Sequence, residues 1–212
     1  LLRKLPGPAN RGLREALREV VSFVGRRKWL ERWILLEALG GYVFSMTMPY
    51  QLVYAIEYKG ADEFVVGYML AALYATSVML SPLVGKLADK VGRVKTILLM
   101  RPLFAISTLT FLYAPGPGYL VLAFALLGAF FSSATAFQTL ALELVPAECR
   151  GRWMGLRVLI SLLARSPAPA IGGLLFMRVS PEAPFLVAII IDSVLRVPLI
   201  YKTPETLWDR VE

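Results

Sequence analysis

The chain has 212 residues, of which 57% are hydrophobic and 18% are charged, with a formal net charge of +8 and a mean hydropathy of +0.62. Soluble domains average roughly 45–50% apolar and about 25% charged residues, so this composition excludes an ordinary water-soluble domain. The absence of histidine and the single cysteine, Cys149, exclude a disulfide framework and a metal site built on the commonest ligands, and no cofactor is predicted.

The apolar residues fall into six runs, each close to the roughly 20 residues that cross a 30 Å hydrocarbon core as a helix. The runs do not alternate apolar and polar residues and are too long for barrel strands. A bundle of soluble helices is the alternative, but six such lengths leave too little polar surface for water. We therefore predict an all-α membrane protein with spans over residues 33–56, 64–84, 96–113, 118–142, 153–177 and 183–201.

Residues 1–32, which precede the first span, are predicted to form a cytoplasmic connector. The segment LLRKLPGPANRG is rich in proline and glycine and favours a loop. The next segment, REALREVVSFVGRRK, repeats apolar residues on one helical face. It predicts an N-terminal amphipathic cytoplasmic helix, which either lies on the membrane surface or caps the bundle.

Lys and Arg residues lie mostly on one side of the predicted membrane. Eighteen of them are distributed as nine in residues 1–32, four in 86–95, three in 150–157 and two in 202–212. The opposite connections carry only Lys59 and Arg178. This excess predicts a multi-pass protein of the cell membrane with both termini in the cytoplasm. Because the cations are spread loop by loop, anionic lipid is the expected partner and nucleic acid is not.

The connection between the second and third spans, GKLADKVGRVK (85–95), concentrates charge between two apolar runs. Gly85 lets the second span approach a neighbour closely, and Gly92 can adopt the backbone conformation that a tight reversal needs. Asp89 is unusual, because a carboxylate here is favoured where it faces a helix amino terminus or an arginine. A basic turn that only fixes orientation, with an incidental aspartate, is the alternative.

The same stretch resembles the loop signature of the major facilitator superfamily, Gly-x-Leu-x-Asp-Arg/Lys-x-Gly-Arg-Arg/Lys. Val94 departs from it where a cation is usual, and Lys95 is the candidate replacement one place later. PAECRGRWMG (146–155) and SPAPAIGGLLF (166–176) resemble the basic start and the Pro- and Gly-rich outer part of the fifth helix of a family half. The resemblance implies a conformational-gate loop that consists of Gly85, Leu87, Asp89, Lys90, Gly92, Arg93 and Lys95.

The resemblance also implies a secondary active transporter that moves a small solute by alternating access. Such proteins have two six-helix halves, each with nested three-helix repeats, around a site near the midplane. The chain would be one half, with 1–32 as connector, 33–201 as half-bundle and 202–212 as cytoplasmic tail. We predict the carboxyl-terminal half; a half-sized subunit that pairs and an amino-terminal half are alternatives. Expected partners are the solute, with or without a coupling proton or ion, the lipid bilayer and a second six-helix half.

Polar residues inside the predicted spans are costly in lipid and are candidates for the solute or ion pathway. Hydrogen bonding between helices is the alternative role. Arg165 and Asp192 lie near the midplane, and they either serve the cavity or neutralise each other. Glu37 is a candidate proton or cation site, or a partner of Arg32 or Arg157. The candidate pathway residues are Glu37, Tyr50, Gln51, Tyr54, Gln138, Arg165 and Asp192.

Two further arginines, Arg101 and Arg196, lie about five residues from the cytoplasmic ends of the third and sixth spans. We expect both to reach the lipid headgroups, although Arg196 also stands four residues after Asp192. No nucleophile with a base, and no acidic metal cluster, is evident, so an enzyme is not predicted. A structural membrane protein without transport activity is the remaining alternative.

Overall fold

The computed structural model describes residues 28–145 and 150–206. The predicted amphipathic helix, Cys149 and the end of the predicted tail lie outside the described residues. The described chain forms nine α-helices and one π-helical segment. They are α1 (Lys28–Lys59), α2 (Glu63–Val91), α3 (Arg93–Leu112), α4 (Pro117–Phe131), α5 (Ala134–Glu143), α6 (Arg150–Arg165), α7 (Ala168–Arg178), α8 (Ala183–Ile190), the π-helical segment (Ile191–Arg196) and α9 (Val197–Tyr201).

Five stretches of the described chain are long and apolar enough to cross a membrane, judged by length and composition. They are Glu63–Val91, Arg93–Leu112, Pro117–Glu143, Trp153–Arg178 and Ala183–Tyr201. Four of the five lie within three residues of the third to sixth predicted spans at each end, whereas Glu63–Val91 continues seven residues past the predicted end of the second span at 84. Helix α1 has 32 residues, which is ample length, but it is not among the five. The first span therefore stays a prediction.

Three of the predicted spans are interrupted in ways that the hydropathy pattern did not predict. Helices α4 and α5 meet at Ser132 and Ser133, whose hydroxyls donate to the carbonyls of Ala129 (2.6 Å) and Phe130 (2.7 Å). Such side-chain bonds to the preceding turn bend helices. Helices α6 and α7 meet at Pro167, which has no backbone N–H to donate.

The sixth predicted span widens into the π-helical segment between α8 and α9. The backbone N–H of Val197 bonds to the carbonyl of Asp192, five residues earlier. Pro198 follows directly and cannot donate, so the regular bonding pattern is interrupted at this point. Single π-helical turns inside α-helices occur frequently at functional sites.

The helices pack in a pattern that repeats after three spans. Helix α2 packs on α4, and the α6–α7 pair packs on α1. Each of these interfaces brings a glycine against a backbone carbonyl. A Cβ atom on Gly128 would lie 2.2 Å from the Leu73 oxygen, and one on Gly172 would lie 2.2 Å from the Met46 oxygen. Nested three-helix repeats have this arrangement, and small residues let backbones approach closely in lipid.

The buried apolar residues form a large cluster at each end of the bundle and a small one between them. The end that carries residues 85–95, hereafter the signature end, is filled by residues such as Trp33, Leu140 and Trp153. The opposite end holds an aromatic cluster that includes Phe111 and Phe185. The middle cluster has only four buried members, so the core is thinnest there: Val43, Met46, Ala168 and Ala188.

Candidate functional site

The charged loop at the signature end is a one-residue turn. Helix α2 ends at Val91, α3 begins at Arg93, and Gly92 between them has φ +110°, a conformation that favours glycine. A Cβ atom on Gly92 would also lie 2.6 Å from an oxygen of Glu205. The backbone conformation therefore requires glycine, as the sequence predicted for the reversal.

The carboxylate of Glu205 binds the amino terminus of α3. The backbone N–H of Arg93 donates to its Oε1 (3.0 Å) and that of Val94 donates to its Oε2 (2.9 Å). These N–H groups have no partner inside the helix, and the helix dipole favours a negative charge beside them. Glu205 was not among the residues predicted for this site, since it lies 112 residues from Arg93 along the chain.

The Arg93 guanidinium joins the loop to two other parts of the chain. It forms an ion pair with Glu143 at the end of α5, and it donates to the Thr206 hydroxyl (3.4 Å). The Thr206 hydroxyl donates in turn to Glu143 (2.6 Å). Arg93, Glu143, Glu205 and Thr206 thus form a polar network, hereafter the end network, that ties α3, α5 and the segment after α9 together.

Asp89 takes almost no part in the end network. Its side chain is 71% exposed and its nearest approach to Arg93 is 4.0 Å. The loop cations Lys90 and Lys95 are also exposed, and Leu87 is half-buried. Gly85 approaches no neighbour in the described chain, because a Cβ atom there would have no atom within 4 Å. The expected close approach at Gly85 is therefore not made within residues 28–145 and 150–206.

A cavity of about 180 Å³ lies in the thin middle of the bundle, between α1, α3, the α4–α5 junction and the π-helical segment. Its polar lining residues are Thr47, Gln51, Arg101, Ser133 and Arg196. Its aromatic lining residues are Phe44, Phe104, Phe130, Phe131 and Phe137. Of the seven candidate pathway residues, Gln51 is the one that lines this cavity.

A buried charge cluster lies beside the cavity. Oδ1 of Asp192 accepts from Nη1 of Arg101 (2.7 Å) and from Nη1 of Arg196 (2.6 Å). Asp192 is 3% exposed, Arg101 6% and Arg196 9%. The expectation that both arginines reach the headgroups is therefore wrong, because Asp192 holds Arg196 from one turn away on the same segment and holds Arg101 across the bundle. The i, i+4 spacing of Asp192 and Arg196 was the sequence signal for this cluster.

Glu37 belongs to a second pair, nearer the signature end. Its two carboxylate oxygens accept from Nε and Nη2 of Arg157 at 2.6 and 2.8 Å, in the two-bond geometry that arginine makes with carboxylates. Arg157 Nη2 also donates to Gln138 (3.1 Å). Of the two partners proposed for Glu37, the structure has Arg157.

Two adjacent glycines of α1 leave space for two arginine side chains. A Cβ atom on Gly40 would lie 2.4 Å from a guanidinium nitrogen of Arg196, and one on Gly41 would lie 2.2 Å from Nε of Arg165. Nε of Arg165 is buried with no hydrogen-bond partner among the described residues. Arg165 does not pair with Asp192 in this structure, because both contacts of that carboxylate come from Arg101 and Arg196.

The two tyrosines among the pathway candidates contact other helices. The Tyr50 hydroxyl donates to the Pro169 carbonyl (2.7 Å) and its ring stacks on Phe176. Tyr54 is buried in the aromatic cluster, where its hydroxyl lies 3.3 Å from the carbonyl of Leu112. Both side chains therefore form hydrogen bonds between helices, which was the alternative role.

The described residues contain no group of three or more His, Cys, Asp or Glu that could hold a metal ion. Three polar features of the described bundle are of most interest for function: the cavity, the buried charge cluster and the end network. A family model for the Major Facilitator Superfamily matches residues 33–206, which include all three features. The chain belongs to the Major Facilitator Superfamily. No curated protein is significantly similar to it in sequence.

Membership of the Major Facilitator Superfamily assigns the chain to membrane transport. Members of the superfamily are transporters and not enzymes, they bind small-molecule substrates and they lie in a lipid bilayer. The five membrane-length helices agree with a multi-pass membrane protein. The resemblance inferred from residues 85–95 is therefore confirmed.

Proposed function

We propose that this chain is the carboxyl-terminal half of a secondary active transporter, which moves a small solute across the cell membrane by alternating access. The observation that carries the proposal is the state of the signature loop. Arg93 is engaged in the end network, whereas Asp89 is 71% exposed, and Gly85 faces open space. Asp89 and Gly85 both lie on α2, and both are accessible for contact with a second six-helix half.

The low burial of two of the five membrane-length stretches also supports an interface with a second half. In the most apolar 18 residues of each of the five membrane-length stretches, the buried share is 6% for α2 and 17% for α6–α7. The buried share is 39–50% for the other three. Helix α2 carries large exposed apolar side chains, among them Phe64, Tyr74, Val78 and Met79. Lipid covers part of such a surface, and a second six-helix half would cover the face that includes Gly85.

Helix α5 carries a strip of exposed polar side chains on one side. Thr135, Gln138 and Thr139 are exposed at i, i+3 and i+4, so they share one side of the helix. Polar side chains at membrane depth usually face the bundle interior or a water-filled cavity. We place this strip against the central cavity that the two halves would enclose, with the signature end in the cytoplasm.

In this arrangement Asp89 acts as a latch between the halves. Its carboxylate would dock on a helix amino terminus or an arginine of the other half when the transporter faces outward, and would release it when the transporter faces inward. Such a contact is worth roughly 0.3–2 kcal/mol. A change of about 1.4 kcal/mol alters the ratio of two populated states tenfold, so the latch is strong enough to control access.

The test is the accessibility of a reporter cysteine, Thr139→Cys, in the full-length protein after Cys149 has been replaced. A membrane-impermeant thiol reagent is applied from the cytoplasmic side of oriented vesicles. Asp89→Asn should raise the labelling rate by up to about tenfold, because loss of the latch enriches the inward-open state. Glu63→Gln removes an exposed carboxylate from the opposite end of α2 and is the matched control, with no change expected.

Equal labelling of Asp89→Asn and the parent protein would mean that the loop is a plain turn and that the latch is wrong. Labelling that does not depend on the side of addition would contradict alternating access altogether. A chain that labels normally but forms pairs of identical subunits would support the half-sized subunit in place of a two-half polypeptide.

A further inference from the structure

We propose that the cavity beside the buried charge cluster binds small monocarboxylates with an apolar body of about the size of a benzene ring. Calling such a ligand the transported solute rests on the proposed function. The binding itself does not, because it follows from the charge, the donors and the walls of this cavity.

The charge of the cluster is not balanced. Arg101 and Arg196 contribute two positive charges and Asp192 contributes one negative charge, and all three residues are at least 91% buried. The nearby Glu37 carboxylate is occupied by the two bonds from Arg157. An uncompensated charge in a low-dielectric interior is costly, and one bound anion would remove the excess.

Donors for that anion are present. Nε of Arg101 is buried and has no hydrogen-bond partner among the residues that the structure describes, although this residue lines the cavity. Each guanidinium has five N–H donors in a planar fork that matches a carboxylate. The observed bonds of Arg101 use one nitrogen, and those of Arg196 use two, to Asp192 and to the carbonyl of Leu36 (3.3 Å).

The two arginines are held in place rather than left free to leave the cavity. The Arg101 guanidinium lies over the ring of Phe130, with 5.3 Å between its carbon and the ring centre. Arg196 projects from the π-helical segment into the space above Gly40. Pre-positioned donors lower the free-energy cost of binding, because less side-chain motion is lost when the anion arrives.

The rest of the cavity defines the body of the ligand. A volume of about 180 Å³ is slightly larger than the roughly 150 Å³ apolar cavity that binds benzene in an engineered protein. Five phenylalanines contribute to the walls. These walls favour an aromatic or short aliphatic body, and the arginines favour a carboxylate at one end of it.

The phosphate of an anionic lipid offers similar chemistry to the same arginines, and the bundle lies in lipid. A two-chain lipid is too large for the cavity, so we assign the site to a soluble monoanion. The test below separates the two sources.

The test is ligand-dependent thermal unfolding of the purified full-length protein in a neutral detergent. Benzoate and hexanoate are compared with their neutral isosteres, benzamide and hexanamide, and with sodium chloride at the same ionic strength. We expect either acid to raise Tm by roughly 2–10 °C with saturation, and the amides and the salt to have little effect. Equal effects of acids and amides would overturn the proposal.

The variants locate the binding. Arg101→Gln should weaken the apparent affinity for the acid at least tenfold, since it removes a buried charged donor. Ala134→Phe is a second variant, for use if Arg101→Gln does not fold. Ala134 is exposed and lines the cavity, so a phenylalanine at this position would fill the cavity. Lys86→Gln removes an exposed cation and should respond like the parent protein. An acid that still stabilises Ala134→Phe binds elsewhere, which contradicts the proposal.

A final pair of samples addresses lipid and transport. Nanodiscs of phosphatidylcholine alone and with added phosphatidylglycerol are unfolded with and without benzoate. If the anionic lipid stabilises the protein and benzoate then does not, the site belongs to lipid and the proposal fails. Benzoate binding together with side-independent labelling of the Thr139→Cys reporter would retain the site and reject the transporter, so the two failures are distinguishable.

Discussion

Replacing either Gly128 or Gly172 by alanine should separate two helices that now touch through their backbones. The added Cβ atom would lie 2.2 Å from a carbonyl oxygen of the facing helix, about 1.2 Å closer than the shortest ordinary contact of 3.4 Å. The oxygen belongs to helix backbone and cannot rotate away. Overpacking of this kind costs roughly 1–3 kcal/mol.

The expected readout is a lower unfolding temperature in neutral detergent. At about 2–4 °C per kcal/mol for a chain of this size, a loss of 1–3 kcal/mol lowers Tm by roughly 2–12 °C. Matched controls are Gly67→Ala on α2 and Gly155→Ala on α6, where a Cβ atom meets no described residue within 4 Å. Alanine favours a helix over glycine by up to about 1 kcal/mol, so both controls should keep or raise Tm.

Equal unfolding temperatures for Gly128→Ala and Gly67→Ala would refute the reasoning, because the helices would then tolerate a separation that the contact forbids. If Gly128→Ala lowers Tm and Gly172→Ala does not, the close backbone contact is required only at the α2–α4 interface. That result would also remove the argument that the interfaces at Gly128 and Gly172 are equivalent parts of a three-helix repeat.

Two further predictions concern buried and capping carboxylates, both followed by thermal unfolding with Glu63→Gln as an exposed control. Asp192→Asn should destabilise the protein by about 3–5 kcal/mol, since Arg101 and Arg196 would remain buried without a counter-charge, and benzoate should restore more stability here than in the parent. An unchanged Tm would mean that the cluster does not hold the bundle. Glu205→Gln should cost about 0.5–2 kcal/mol through weaker capping of α3. A loss as large as that at Asp192 would contradict simple capping.

The sequence by itself determined where five membrane-length helices lie. Span length is set by the thickness of the hydrocarbon core and by local hydropathy, so it can be determined without knowing which helices touch. The last of these, Ala183–Tyr201, has the predicted bounds, and Pro117–Glu143 differs by one residue at each end. The role of Gly92 could also be predicted from local sequence, because it follows from the backbone freedom of glycine in a reversal.

The signature loop is a case in which sequence identified the segment but not its contacts. The pattern of residues 85–95 was sufficient to indicate the family, and the family model confirmed it. The carboxylate on the helix amino terminus is Glu205, however, and Asp89 is exposed. A helix terminus attracts any nearby carboxylate, and only the fold brings one from 112 residues away.

The tertiary structure alone decided what happens to the charges inside the bundle. Depth along a helix suggested that Arg101 could reach the headgroups, yet Asp192, 91 residues away in sequence, holds it in the interior. The cavity also exists only in three dimensions, where α1, α3, the α4–α5 junction and the π-helical segment leave a gap. Hydropathy reports the preference of each segment for lipid, whereas a buried ion pair depends on the direction in which side chains from separate helices point, and that is set by packing.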